Sequence, residues 1–444
     1  MKSMISPKLP SGFRDYLPED MIPRQDMLDT IRRTFERFGF VPLDTPGMER
    51  LEVLTGGDEN FKKQLYKAGL EVGEEDLGMR FDLTVPLARV VSLYGDKIVR
   101  PFKRYQMGKV WRGEKPQAGR FREFIQFDVD IVGSERMSAD AEIVALMYET
   151  MTALNIPRFT IRINNRKILN ALADYLGYDR SINPEVLRTI DKLDKIQWEG
   201  VAKELAGKCS FDEDKLGKLK AFLELRGAPS EILITLGNIM KDSKEALEGI
   251  TELTAISTSL KALGVPESVW CIDLSVARGL GYYTGPVFET VLEDLPSIGS
   301  VFSGGRYDDL VSRFGERSVS ATGASVGVDR LFAAMEKLGL VKKEKTVTKV
   351  MVLNFDETSL GYSESVVTAI RRAGISAELY LGKENNIKGQ LAYALNQDVP
   401  VIVIAGSTEM GRRVVQIKDT VRREQIEVAF DDVVDNIKKV IGSM

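Results

Sequence analysis

Histidine is absent from the 444 residues. With it go the usual near-neutral acid or base, the commonest metal ligand and any Ser-His or Cys-His nucleophile. Most hydrolase chemistries are thereby excluded. Cysteine is nearly absent too: Cys209 and Cys271 stand far apart without a ligand-spaced partner, so neither a disulfide framework nor a thiolate zinc site is indicated. No apolar run approaches membrane-spanning length, and a hydrophobic fraction of 43% with 28% charged residues fits a soluble globular chain. The opening MKSMISPKLPSGFRDYLPED lacks the apolar core of a signal peptide, and its acidic residues disfavour a transit peptide, so a cytoplasmic protein is expected. Neither a GxxxxGK[ST] nor a GxGxxG phosphate loop occurs. The net charge is only −4 and the pI about 5.5, so contact with nucleic acid requires a local basic patch.

The length predicts two or three domains. Met27, Ile31, Phe35 and Phe38 recur at helical spacing over 22–39, and GFVPLDTP then turns extended. From 98 to 133, IVRPFKRYQMGKVWRGE and REFIQFDVDIVG read as two antiparallel strands around a mobile loop at KPQAG. PRFTIRIN alternates as a half-buried strand. Between 169 and 266 the pattern is helical and charged, with Val186, Leu187, Ile190 and Leu193 on one face, and reads as an insertion. Strands resume at VWCIDLSV, PVFETVL and SIGSVFSGG, and GASVGVDRLFAAMEKLG runs from a glycine-rich strand into a helix. VKKEK (341–345) reads as a linker. The last hundred residues alternate strand and helix around an apolar VIVIA segment, which implies a mainly parallel sheet with additional closing strands.

The basic patch lies in PFKRYQMGKVWRGEKPQAGRFREF, where seven Lys and Arg residues face only Glu114 and Glu123. A solvated charged hairpin has the same composition. The order is more informative: Arg112, Glu114 two residues on, a loop, Arg120, then Phe124 four residues later. A guanidinium fork suits phosphate and an aromatic face suits a base. Arg330, emerging from GASVGVDRL at the start of a helix, supplies a second arginine.

These segments resemble motifs 2 and 3 of the class II aminoacyl-tRNA synthetases, and FGFVPLDTPGMERLEVL, with Pro46, resembles their motif 1. RGLGYYTGPVFE (278–289) and SGGRYDDL (303–310) resemble the two signature motifs of histidyl-tRNA synthetases, and MRFDLTVPLARV that family's amino-acid-binding segment. The resemblance runs from GFRDYLP to the carboxy terminus. It implies an α+β catalytic domain with an antiparallel sheet (1–168 and 267–338), a helical insertion (169–266) and a carboxy-terminal α/β anticodon-binding domain (347–444). The implied reaction is ATP-dependent activation of histidine and its transfer to the terminal adenosine of tRNA(His), with Mg2+ accompanying ATP, in a homodimer. No enzyme imidazole is required, because the substrate carboxylate is the nucleophile and catalysis is chiefly positioning and charge stabilisation.

Residue by residue, the resemblance implies that Arg112 and Arg278 serve the α-phosphate and substrate carboxylate. Glu114 orients adenine, Phe124 stacks on it, and Arg120 and Arg330 hold the γ-phosphate end. Asp82, Thr84 and Gln126 take the α-amino side. Asp130 accepts an imidazole N–H within a pocket including Tyr282, Tyr283 and Tyr307, and Gln117 reaches the tRNA acceptor end. Other readings stand beside these. Tyr282 and Tyr283 alternate, so one faces the core; Asp128 and Asp130 share a face, and either could be a structural ion-pair partner. Arg104 and Arg122 read as packing or surface ion pairs, and Glu289 equally as a solvated carboxylate or a metal ligand.

Gly281, Phe81, Phe121 and Ile125 depart from the residues common in the family, and DTVRREQ lacks its Thr-Gly turn. The alternative function is a catalytically inactive regulatory paralogue of histidine biosynthesis. Such paralogues lack the anticodon module and lose ATP-binding arginines. A sister synthetase for proline, threonine or glycine is disfavoured by the two signature motifs. For the missing histidines two accounts stay open, translation while charged histidine tRNA is scarce and engineering toward a reduced alphabet.

Overall fold

The computed structural model describes residues 5–56, 64–69, 76–115, 121–277, 279, 283–308, 311–314 and 318–442. The chain forms two compact units, one of Met27–Val341 with the residues before Asp15, the other of Asp15–Asp26 with Lys342 onward.

The strands of the first unit are β1 (Val41–Pro42), β2 (Met48–Arg50), β3 (Lys67–Ala68), β4 (Leu77–Met79), β5 (Phe102–Trp111), β6 (Glu123–Val132), β7 (Phe159–Asn165), β8 (Trp270–Ile272), β9 (Pro286–Leu292), β10 (Phe302–Arg306) and β11 (Ala321–Gly327). Eight of them make one sheet in the order β1-β5-β6-β11-β10-β9-β7-β8, and β2-β4-β3 make a small second one. The large sheet is antiparallel except at its edge pairs, β1 with β5 and β7 with β8.

Alternation along β6 divides the sheet's two faces. Phe127, Val129 and Ile131 join Ile31 and Phe35 of the helix Pro18–Arg37, and Ile143 and Met147 of the helix Met137–Ala153, in one apolar core. Phe35 meets Phe127 edge-on at 5.0 Å between centroids, an arrangement worth about 1 kcal/mol beyond the area buried. The alternate residues Gln126, Asp128 and Asp130 take the opposite face. The register extends that polarity across six strands: Gln106, Asp128, Ser325, Ser303, Glu289 and Arg162 stand opposite one another in turn.

Seven α-helices, from Arg166–Asn170 to Lys244–Ala262, lie between β7 and β8. Val186, Leu187, Leu205, Leu236 and Leu253 from these helices share the apolar core that holds Ile161 and Ile163 of β7. The expected single face from Val186 to Leu193 is divided. One helix ends at Ile190, Leu193 opens the next, and that one breaks at Gln197 (φ +58°, ψ 176°). No glycine or proline in TIDKLDKIQ marks either interruption.

In the second unit, β12 (Val350–Val352), β13 (Ala377–Leu379), β14 (Val401–Ile404), β15 (Val414–Asp419) and β16 (Glu424–Ala429) form a sheet ordered β13-β12-β14-β15-β16. It is parallel across β13, β12 and β14 only, and the closing strands are antiparallel. The four residues between β15 and β16 are too few for a crossover, which fixes the direction of that pair. Among the described residues no helix is long and apolar enough to cross a membrane.

Candidate active site

A cavity of about 330 Å³ opens on the polar face of the large sheet, lined among others by Arg112, Glu114, Phe124, Gln126, Tyr283 and Arg330. Arg112 follows the end of β5. Its Nε donates to the Phe81 carbonyl (3.3 Å) and its Nη2 to Gln126 Oε1 (3.5 Å). The guanidinium lies over the Phe81 ring at 4.4 Å and the Phe124 ring at 5.0 Å. Aromatic faces hold a cation without neutralising it, so this arginine is oriented yet keeps its charge for an anion. Phe81 and Phe124 thus frame the one cation.

Arg80 fixes the segment that supplies Phe81. Its Nε donates to the Lys109 carbonyl (2.8 Å) and its Nη1 to the Thr45 carbonyl (2.6 Å), tying the loop after β1 to β5. Two residues further on, Asp82 Oδ1 accepts the Val85 N–H (3.0 Å) at the start of the helix Thr84–Leu93, which places Asp82 and Thr84 at a helix amino terminus.

Beneath the cavity Asp130 is nearly fully buried. Tyr307 donates its hydroxyl to Oδ1, and the Arg104 guanidinium stands 2.7 Å from Oδ2. Oδ2 has that charge beside it but no hydrogen bond among the described residues. Burial pushes the Asp130 carboxyl and the Tyr307 phenol upward. Room for Asp130 comes from Gly323, whose missing side chain would run into Oδ1. Tyr283 is seated in the same manner. A Cβ on Gly279, at φ +70°, would strike its ring, and one on Gly305 would come within 3.0 Å of it. Glycine at these positions of the two signature segments is a requirement of the tyrosine between them.

Asp128 is buried one step along β6, and its carboxyl is pushed up to about 7 by burial, with Asp130 and Asp82 adding and Arg104 opposing. Ser325 donates to Asp128, and Gln126 Nε2 donates to Ser325 Oγ (2.8 Å) and Asp128 Oδ1 (3.3 Å). On the far wall, Arg330 Nη1 donates to the Ser300 carbonyl (2.6 Å), and Asp329 Oδ2 accepts the Ile125 N–H (2.9 Å), joining the helix Val328–Lys337 to β6.

Of the residues expected at the site, Arg112, Glu114, Phe124, Gln126, Tyr283 and Arg330 line the cavity. Asp130 and Tyr307 lie buried and bonded to each other. Arg278, Tyr282, Arg120, Gln117 and Gly281 are outside the described residues. Arg104, expected to make a packing or surface ion pair, makes a fully buried one with Asp130, because the register sets them directly opposite. One expectation needs correction. Glu289 is not solvated, being buried and ion-paired with Arg162, its register partner on β7. Arg122 bonds the carbonyls of Ser11 (3.3 Å) and Glu114 (3.1 Å). Sequence reasoning missed Ser300, Ser303, Ser325 and Asp329 as cavity residues. Three of these sit inside the quoted motifs; the strand alternation that sets Gln126 on this face marks Ser303 and Ser325 as well, whereas Asp329 lies in the helix Val328–Lys337.

Residues 12–331 match the family model described as histidyl-tRNA synthetase, and 349–440 that of an anticodon binding domain. The chain is 42% identical to the histidine–tRNA ligase of Wolinella succinogenes over 421 residues, 94% of this chain and 95% of that protein. It is 39% identical to that of Clostridium tetani, over 98% and 99% of the two chains. The crystal structure of histidyl-tRNA synthetase from Nostoc sp. PCC 7120 superposes with a TM-score of 0.88 at 35% identity, covering 98% of this chain and all of that one. A large antiparallel-rich sheet, a helical region and a carboxy-terminal domain with a sheet of its own make up the class II synthetase fold. The chain belongs to the histidyl-tRNA synthetase family, the class II ligases that activate histidine with ATP and join it to tRNA.

Proposed function

We propose that the cavity holds ATP and histidine side by side, so that a carboxylate oxygen of histidine bonds to the α-phosphorus and pyrophosphate leaves. A ribose hydroxyl of the tRNA's terminal adenosine then attacks the acyl carbon, and AMP departs. The observation that carries this reading is Arg112, an arginine with no carboxylate partner among its described contacts, held between Phe81 and Phe124 at the cavity wall. Such a preset cation stabilises charge that develops on the phosphate without reorganising.

Arg112 and Arg278 serve the α-phosphate and carboxylate, Glu114 and Phe124 the adenine, and Arg120 and Arg330 the γ-phosphate end. Asp82, Thr84 and Gln126 receive the α-amino group. Asp130, Tyr282, Tyr283 and Tyr307 receive the imidazole. A buried polar pocket of this kind rejects side chains that leave its groups unpaired. Gln117 contacts the acceptor end of tRNA(His), and residues 347–444 serve as the anticodon-binding domain, beside a catalytic domain of 1–168 and 267–338 with 169–266 inserted.

Magnesium enters with ATP, whose phosphate oxygens supply most of its ligands, so one or two carboxylates suffice from the protein. Val41, Met48 and Met107, exposed apolar side chains on β1, β2 and β5, support a homodimer formed around the motif 1 segment. The place of action is the cytoplasm.

The test is ATP–pyrophosphate exchange with Arg112→Ala. The rate falls on the order of 10²- to 10³-fold, as for removal of one preset charge-stabilising donor. Arg122→Ala, which loses only bonds to backbone carbonyls, stays within about threefold. Undiminished exchange by Arg112→Ala overturns the assignment.

A further inference from the structure

A glutamine amide can face a ligand with either end, and which end it offers is decided by what the other end bonds. Around Gln126 that choice is made by two neighbours on the sheet. Ser325 has a single hydroxyl proton and gives it to Asp128, which leaves its oxygen to accept from Gln126 Nε2 at 2.8 Å. Asp128 Oδ1 accepts from the same nitrogen at 3.3 Å. The amide oxygen is thereby turned to the Arg112 side of the cavity, 3.5 Å from Nη2. Turning the amide over would set its NH2 against the Arg112 cation and, with Asp128 ionised, its oxygen against the carboxylate.

We infer that Asp128 is a positioning residue for the amino-acid substrate: with Ser325 it engages the Gln126 amide nitrogen, so that Gln126 presents an acceptor to the substrate's α-ammonium group. This rests on the reading of Gln126 as the α-amino contact. An ammonium has only donors to offer, so an amide oxygen binds it and an amide NH2 repels it. The placement suits the task, since Asp128 is buried, does not line the cavity, and bonds two residues that do, Gln126 and Ser325. Register sets Gln106 of β5 and Ser325 of β11 on either side of it. Arg104 and Arg80 are the cations near it, and Asp130 and Asp82 the anions.

The experiment is a set of ATP–pyrophosphate exchange measurements on the full chain with Gln126→Ala, Asp128→Asn and the double variant, reading the KM for histidine and for ATP separately. Asn at 128 can offer its own NH2 to Gln126 and so permits the turned amide. Asp128→Asn raises the histidine KM on the order of tenfold, the loss of one hydrogen bond to a charged group, and leaves the ATP KM within about twofold. The double variant is no worse than Gln126→Ala, because Asp128 acts through Gln126. A histidine KM unchanged in Asp128→Asn, or an additive loss in the double variant, overturns the proposal while the site reading stands. A histidine KM unchanged in Gln126→Ala brings down the site reading as well. Ser325→Ala, a smaller change in case Asp128→Asn does not fold, raises the histidine KM about threefold or more, with the ATP KM again unmoved. No rise there also overturns the proposal.

Discussion

Gly279 joins a left-handed backbone (φ +70°) to a space already filled by the Tyr283 ring. Gly279→Ala therefore strains the backbone and displaces the tyrosine, costing about 1 kcal/mol or more in denaturant unfolding and a larger share of histidine-dependent exchange. Unchanged unfolding and exchange would show that this loop needs no glycine. Asp128 carries a prediction of the opposite sense for stability. Its carboxyl is raised from 3.8 to about 7, chiefly by burial, so the folded chain holds this proton more tightly than the unfolded chain. The group's contribution to stability accordingly falls as pH rises from about 4 through about 7. Asn at this position has no such proton. The unfolding free energy of Asp128→Asn relative to the native chain should therefore climb across that window and level off above it. A flat difference contradicts the shift. A variant whose relative stability climbs over this window and whose histidine binding is weaker is what a positioning carboxylate implies.

At the scale of elements, the hairpin β5/β6 was legible because its signals are local: β-type runs, a short polar loop and alternation. The use of that alternation was less so. Sequence placed Asp128 and Asp130 on one face, but only pairing shows Arg104 opposite Asp130 and Arg162 opposite Glu289. Those pairs join segments 26 and 127 residues apart, and register between distant strands is written in no single segment. The breaks after Ile190 and at Gln197 escaped for a different reason, since the run they interrupt carries no glycine or proline and its local propensity is helical. Arg162 offers a test of the polar row. It lies between buried Glu289 and Asp273 and the more exposed Asp194. Arg162→Met strands the Glu289 charge and costs about 3–5 kcal/mol by denaturant unfolding. Arg158→Met, which breaks exposed pairs with Glu293 and Asp294, stays within about 1 kcal/mol. Equal losses from the two variants contradict the row.

The whole molecule joins a catalytic unit to a separately cored carboxy-terminal unit, each with its own sheet. Motif resemblance made both readable, while the antiparallel closure of the second sheet came only with its pairing. A homodimer built around motif 1 predicts that sedimentation equilibrium at micromolar concentration gives twice the 49.5 kDa chain mass; a single-chain mass contradicts it. The central claim is the proposal that caged Arg112 receives a phosphate and buried Asp130 an imidazole. It is tested most directly by ATP–pyrophosphate exchange with purified native chain and each of the twenty amino acids in turn. The account predicts exchange with histidine alone. Exchange with none of them, or with another amino acid as well as with histidine, would contradict it.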